Sequence, residues 1–114
     1  MLGSFSNARI FLCQNPTDMR KSYDGLANLV TTEFKQNPLT GDYFVFINSQ
    51  RNRLKILFWD TGGFCLFCKR LERGRFRLPN DDNPEINRII LAMIIEGFDV
   101  KKVKKLPRFK PKIY

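Results

Sequence analysis

The residues best able to make chemical contacts lie in the stretch 51–77, where eight lysines or arginines accompany only two acids, Asp60 and Glu72. Most of these cations are arginines, whose planar guanidinium groups match the oxygens of a phosphate. The whole chain carries 20 Lys and Arg against 11 Asp and Glu, a net charge of +9. Because such a surplus attracts polyanions, the pattern predicts a nucleic-acid partner, with an anionic membrane as the second candidate.

These cations fall on two kinds of predicted element. Alternation along a strand places Arg53 and Lys55 on one face, and four more cations cluster near the end of the next strand and in the turn after it. Two others stand in the first turn of a predicted helix. The candidate nucleic-acid-binding residues are Arg20, Lys21, Arg53, Lys55, Lys69, Arg70, Arg73 and Arg75. A solvated sheet face and a protein-docking surface remain alternatives for the same side chains.

Cys65 and Cys68 are a second possible site, since a C-x-x-C spacing occurs in zinc and redox motifs. A structural zinc ion takes four ligands, whereas the chain has one further cysteine, Cys13, and no histidine. On a strand, residues three apart point to opposite faces, and no helix follows to activate a thiol. We therefore predict buried free thiols in a reducing compartment, with no metal and no cofactor.

The carboxylates give no sign of a catalytic centre. A two-metal nuclease or transposase needs about three converging carboxylates. Asp18 and Asp24 are six residues apart on a predicted helix, hence on different sides, and Asp60 stands in a turn. The absence of histidine removes the commonest general base. We expect a protein that is not an enzyme and has no small-molecule substrate.

Positioning the cations requires a sheet. Apolar and β-branched residues bounded by turn residues predict five strands. The predicted strands cover residues 8–14, 43–47, 53–59, 64–71 and, as a short last one, 75–78. The polar residues 48–52 form a predicted hairpin loop, so that the middle of the chain is an antiparallel meander.

Two helices complete the predicted fold. Apolar residues at spacings of three and four predict a first helix over 18–34, with Thr17 as its N-cap. The same spacing predicts a second helix over 84–96, capped by Asn83, with proline at its first position and Gly97 as its stop.

Together these elements predict a single α+β domain over residues 1–100, in which an antiparallel meander of three to five strands packs one face against both helices. Residues 101–114 form a predicted basic tail. No apolar run approaches the ~18 residues that a membrane span needs, and no leader is visible. We expect a cytoplasmic protein that does not enter a membrane.

Four segments of the chain resemble one known family, in the family's own order. They are TDMRKSYDGLA at 17–27, KILFWD at 55–60, FCLFCKRLERGRF at 64–76 and EGFD at 96–99. This set is similar to TnpB, the small Orf2-like accessory protein encoded by IS66 insertion sequences. The chain departs from the family pattern at Ser22, usually glycine, at Phe58, and at 48–52, where the family has a loop richer in arginine and glycine.

The resemblance implies a role beside a separate, larger transposase, to which the strand-transfer chemistry is attributed. We therefore expect a non-catalytic accessory protein that binds the DNA of transposon ends through a basic sheet or hairpin surface. The alternative is a protein–protein adaptor that docks the transposase or another element-encoded protein. In that case residues 18–21 and 69–72, which mix both charges, would form the docking surface.

Overall fold

The computed structural model describes residues 7–97, which form five strands and two helices. In chain order the elements are β1 (Ile10–Leu12), α1 (Tyr23–Glu33), β2 (Tyr43–Ile47), β3 (Arg53–Asp60), β4 (Gly63–Arg70), β5 (Glu85–Ile86) and α2 (Arg88–Glu96). Within this part of the chain, neither helix is long and apolar enough to cross a membrane. The basic tail predicted at 101–114 lies outside the described residues.

The strands form one sheet in the order β4-β3-β2-β1-β5. β2, β3 and β4 are the predicted antiparallel meander, with Phe44 opposite Leu57 in the first pair. β1 runs parallel to β2, with Ile10 aligned to Tyr43, and α1 provides the crossover that a parallel pair requires. The α+β class is confirmed, and the sheet is mixed because of this one parallel pair.

The two helices pack on opposite faces of the sheet, so the prediction that both lie on one face is wrong. Every residue of β2 is buried. Tyr43 and Val45 belong to the core cluster that contains residues of α2, whereas Phe44 and Phe46 belong to the cluster that contains residues of α1. A central strand that is apolar at every position needs cover on both faces.

Helix α1 begins at Tyr23 instead of residue 18, and Thr17 is not its cap. Thr17 is buried, and its backbone N–H donates to the carbonyl oxygen of Ile47 at 2.9 Å. Asp18 then forms a turn in which its Oδ1 accepts a hydrogen bond from the backbone N–H of Arg20 at 2.9 Å. The contact with β2 therefore holds residues 17–21 in a non-helical conformation.

Helix α2 begins at Arg88, and its cap is Asn87, whose side chain accepts a hydrogen bond from a first-turn N–H at 2.8 Å. The cap predicted at Asn83 is wrong because Glu85–Ile86 pairs with β1 as β5. This pairing satisfies backbone groups of β1 that would otherwise lack partners. Gly97 ends the helix as predicted, in a left-handed conformation with φ 85°.

Candidate nucleic-acid interface

A rigid hairpin tip, residues 48–52, joins β2 to β3. The Oδ1 atom of Asn48 accepts hydrogen bonds from the backbone N–H groups of Asn52 and Arg53, both at 3.0 Å. Its Nδ2 atom donates to Oδ1 of Asn52 at 2.7 Å. Arg51 takes a left-handed backbone conformation, with φ 59°. One asparagine side chain thus closes the loop across its base, which confirms the predicted hairpin.

The chain returns to this tip after β4. The backbone N–H of Leu71 donates to the carbonyl oxygen of Asn52 at 2.8 Å, and that of Phe76 donates to the carbonyl oxygen of Arg51 at 2.6 Å. The Phe76 ring is fully buried in the core cluster on the α2 side. Residues 75–78 do not form the predicted short last strand; Phe76 alone among them donates a backbone hydrogen bond to the hairpin tip. We call residues 48–53 together with 71–77 the cationic end.

The cationic end carries a set of exposed guanidinium groups. Within residues 7–97, none of the following has a side-chain hydrogen bond or an ion pair: Arg51, Arg53, Arg73, Arg75 and Arg77. Three of them were candidates from the sequence, whereas Arg51 and Arg77 were counted in the basic stretch but not chosen. The backbone hydrogen bonds of Leu71 and Phe76 place residues 71–77 beside the hairpin tip, and no local sequence pattern predicts these bonds.

Two other candidate cations are paired with nearby acids. Arg70 donates from Nε to Oε2 of Glu72 at 3.0 Å, beside the directly opposed Arg53 on β3. Arg20 donates from Nη2 to Oδ2 of Asp18 at 2.7 Å, and the Arg20 side chain is 91% exposed. Hydrogen bonds from Arg20 lower the pKa of Asp18 to about 2. Both guanidinium groups form ion pairs with carboxylates, which reduces their attraction for an external anion.

Lys55 lies on the α1 side of the sheet and binds the segment before that helix. Its ammonium group donates to the carbonyl oxygens of Met19 and Lys21, at 2.8 and 2.7 Å. The Lys21 side chain is exposed, and its stem lies against Gly25, where a Cβ would come within 3.2 Å of the Lys21 Cβ. Gly25 therefore makes room for the side chain of Lys21.

Lys69 lies on the other face of the sheet, opposite Leu54 in the β3–β4 pair. Its ammonium group donates to the carbonyl oxygen of Ile95 at 2.7 Å, in the last turn of α2. A cation is favourable there because the last carbonyls of a helix carry partial negative charge. The neighbours Lys69 and Arg70 thus belong to opposite faces of β4.

The three cysteines are free thiols in different environments. Cys13 is buried, Cys65 is half-buried on the α2 side, and Cys68 is exposed on the edge strand β4. The prediction of buried thiols is wrong for Cys68, because β4 is the edge strand and no described residue forms a strand beyond it. Burial raises the pKa of the Cys13 thiol. Among residues 7–97, no group of three or more potential metal ligands comes together.

Comparisons with known proteins agree with the resemblance of the four segments. Residues 8–105 match the family described as IS66 Orf2-like protein. The chain belongs to this family. Two similar relatives are uncharacterized proteins of Sinorhizobium fredii. One, y4hO, is 39% identical over 101 residues, covering 87% of this chain and 88% of the relative. The other, y4jC, is 32% identical over 113 residues, covering 97% of both chains. No solved structure matches the chain.

In this IS66 Orf2-like protein, two of the segments that carry the resemblance border the cationic end. Residues 17–20 face the hairpin tip across an open groove, with Arg20 and Arg53 among the residues that line it. Residues 69–76 supply the end of β4 and the return to the hairpin tip. Segments that are distant in the sequence therefore meet at one end of the sheet.

Proposed function

We propose that this protein is a non-catalytic accessory factor of a bacterial transposable element that binds DNA at the element's ends during transposition. The cationic end forms the binding surface. Family membership supports a role as an accessory protein of an IS66 element. The cytoplasm, where such DNA is found, is the proposed location. The observation that carries the proposal is the convergence, beside one hairpin tip, of five arginines whose side chains have no partner among residues 7–97.

The charge balance of this surface favours a phosphate backbone as its ligand. The one acid of residues 71–77, Glu72, already accepts from Arg70, so the five arginines keep an uncompensated charge. Guanidinium groups bind phosphate oxygens with two parallel hydrogen bonds. Each phosphate neutralised releases counterions and contributes about −0.9 to the slope of log K against log salt. Four or five contacts give a slope of roughly −3.6 to −4.5.

The eight cations chosen from the sequence divide into three proposed groups. Arg53, Arg73 and Arg75 contact phosphates directly, and Lys21, exposed just before α1, adds a contact outside the cationic end. Arg20 and Arg70 sit at its border with part of their charge offset. Lys55 and Lys69 have carbonyl partners inside the protein, so we assign them to holding the surface in place.

The test is a fluorescence-anisotropy titration of a 30-bp duplex, taken from an element end, across a series of salt concentrations. We expect Arg73→Gln combined with Arg75→Gln to reduce the magnitude of the slope by about 1.8, which is two phosphate contacts. The matched control is Lys35→Gln, which removes an exposed charge at the end of α1 and should leave the slope unchanged. Absence of binding at about 50 mM salt, or equal slopes for all three proteins, would overturn the proposal.

The adaptor function is supported by a different surface. A groove lined by Met19, Lys55, Cys68 and Glu72 brings together the two segments that mix charges. It contains apolar and charged groups side by side, which suits a protein partner better than a phosphate chain. Reversing the charge of Arg73 and Arg75 separates the two functions. A DNA-binding factor would lose DNA, whereas an adaptor that docks through the groove would keep its co-purification with the transposase, because neither arginine lines the groove.

A further inference from the structure

Arg51 occupies a backbone conformation that favours glycine. Its φ of 59° lies in the left-handed region, where a side chain crowds the following carbonyl oxygen. Glycine would adopt this conformation at no steric cost. An arginine here is therefore destabilising for the hairpin unless its side chain contributes something else.

The described part of the chain gives the Arg51 side chain no task. It is exposed and has no hydrogen bond or ion pair within residues 7–97. The hydrogen bond that Phe76 donates goes to the backbone oxygen of Arg51, which any residue would supply. Unfavourable backbone geometry that no internal contact offsets is typical of residues kept for function.

The remainder of the hairpin tip holds Arg51 in a defined place. Oε1 of Gln50 accepts hydrogen bonds from Oγ of Ser49 at 3.2 Å and from Nδ2 of Asn48 at 3.3 Å. Together with the bonds from Asn48 across the loop, these contacts stiffen the turn before any ligand arrives. Arg51 follows the two central residues of the turn, and its backbone N–H closes the turn by donating to the carbonyl oxygen of Asn48 at 3.0 Å. A stiff turn limits the entropy lost when a side chain on it is fixed by a ligand.

We propose that Arg51 reads guanine in the major groove of duplex DNA. This inference rests on the proposed function and adds sequence selectivity to it. The guanidinium fork matches the two major-groove acceptors of guanine, N7 and O6. Because β2 and β3 are inner strands of the sheet, the hairpin tip and not the strands would enter the groove. Arg53 and Arg73 flank the hairpin tip and contact the phosphates on either side of the groove.

The test compares two variants that make the same change, a cation replaced by glycine, at two different places in the structure. Arg51→Gly and Lys35→Gly each remove one positive charge at an exposed residue with left-handed backbone, φ 59° and 57°. Neither should lower the Tm, because glycine relieves the backbone at both positions. Lys35 follows the last turn of α1, where a left-handed residue is an ordinary helix end.

The experiment selects duplexes from a pool with a 12-bp randomised core and then compares Kd for the enriched and a scrambled duplex. We expect the wild-type protein and Lys35→Gly to enrich a motif that contains guanine. Arg51→Gly should lose roughly tenfold or more of the Kd ratio, as for one bidentate base contact. Arg51→Lys keeps the charge without the planar fork, so it should keep the salt slope and reduce the ratio.

The outcomes distinguish failure of guanine reading by Arg51 from failure of DNA binding itself. DNA binding without an enriched motif, or an unchanged Kd ratio in Arg51→Gly, would overturn base reading and leave the proposed function standing. A lower Tm in Arg51→Gly would assign Arg51 a structural role and also overturn it. No binding of any duplex by the wild-type protein would remove the proposed function and this inference together.

Discussion

Replacing Lys55 by methionine tests whether a half-buried lysine organises the residues before α1. The Nζ atom of Lys55 donates to the carbonyl oxygens of Met19 and Lys21, at 2.8 and 2.7 Å. Methionine keeps most of the apolar stem and removes both donors. The variant therefore leaves two carbonyl groups without their cationic partner and changes the packed volume little.

The expected loss follows from the exposure of the two carbonyl groups. A hydrogen bond from a charged donor contributes about 1.5–3 kcal/mol to stability. The bond to Lys21 is exposed, so water replaces most of it. The bond to Met19 is part-buried, and its loss is felt nearly in full. We expect Lys55→Met to lower the free energy of unfolding by about 2 kcal/mol.

Urea unfolding followed by the fluorescence of the single tryptophan, Trp59, measures this change. With an m-value of roughly 2 kcal/mol/M, the midpoint should fall by about 1 M. The matched control is Arg53→Gln, two residues away on β3, because Arg53 is exposed and unpaired within residues 7–97. Its change should stay within about 0.5 kcal/mol. Equal midpoints for Lys55→Met and Arg53→Gln would refute the organising role of Lys55.

Three further predictions concern caps, thiols and pH. Asn87→Ala should destabilise the protein by about 1 kcal/mol in the same urea assay, because it removes the cap of α2. In the native protein a thiol reagent should label Cys68 quickly, and Cys13 only after unfolding, since Cys13 is buried and its pKa is raised. An NMR titration should find the pKa of Asp18 at about 2, and this pKa should rise towards 3.8 in Arg20→Gln. Because this pKa is lowered on folding, its stabilising contribution is present above pH 3.8 and disappears as pH falls towards about 2.

The strands of the meander could be predicted because their pattern is local. Residues 43–47 are apolar at every position, and 53–56 alternate between basic and apolar residues. The strands predicted at 43–47 and 53–59 are present as β2 and β3 with a change of at most one residue at either end. The ends of the helices could not be predicted in this way. Thr17 and Asn83 are good capping residues. Thr17, however, donates its backbone N–H to Ile47 of β2, and residues 85–86, just after Asn83, pair with β1. A tertiary hydrogen bond overrides a local cap of similar strength.

For the candidate site, residue types could be chosen from the sequence but not their tasks. Lys55, Lys69 and Arg73 have similar surroundings in the sequence, all within one basic stretch. Two of them donate to carbonyl oxygens on opposite faces of the sheet, and the third has no partner among residues 7–97. The role of a lysine or arginine depends on which groups the fold brings against its side chain, and the local sequence does not specify those groups.

By itself, then, the sequence determined the class of the fold, the meander, the surplus of positive charge and, through four segments, the family. Tertiary structure alone decided that the helices cover opposite faces and that the hairpin tip meets the residues after β4. The reason is the range of the interactions involved. Periodicity and turns act between near neighbours in the chain, whereas hydrogen bonds and packing join residues that only folding brings together.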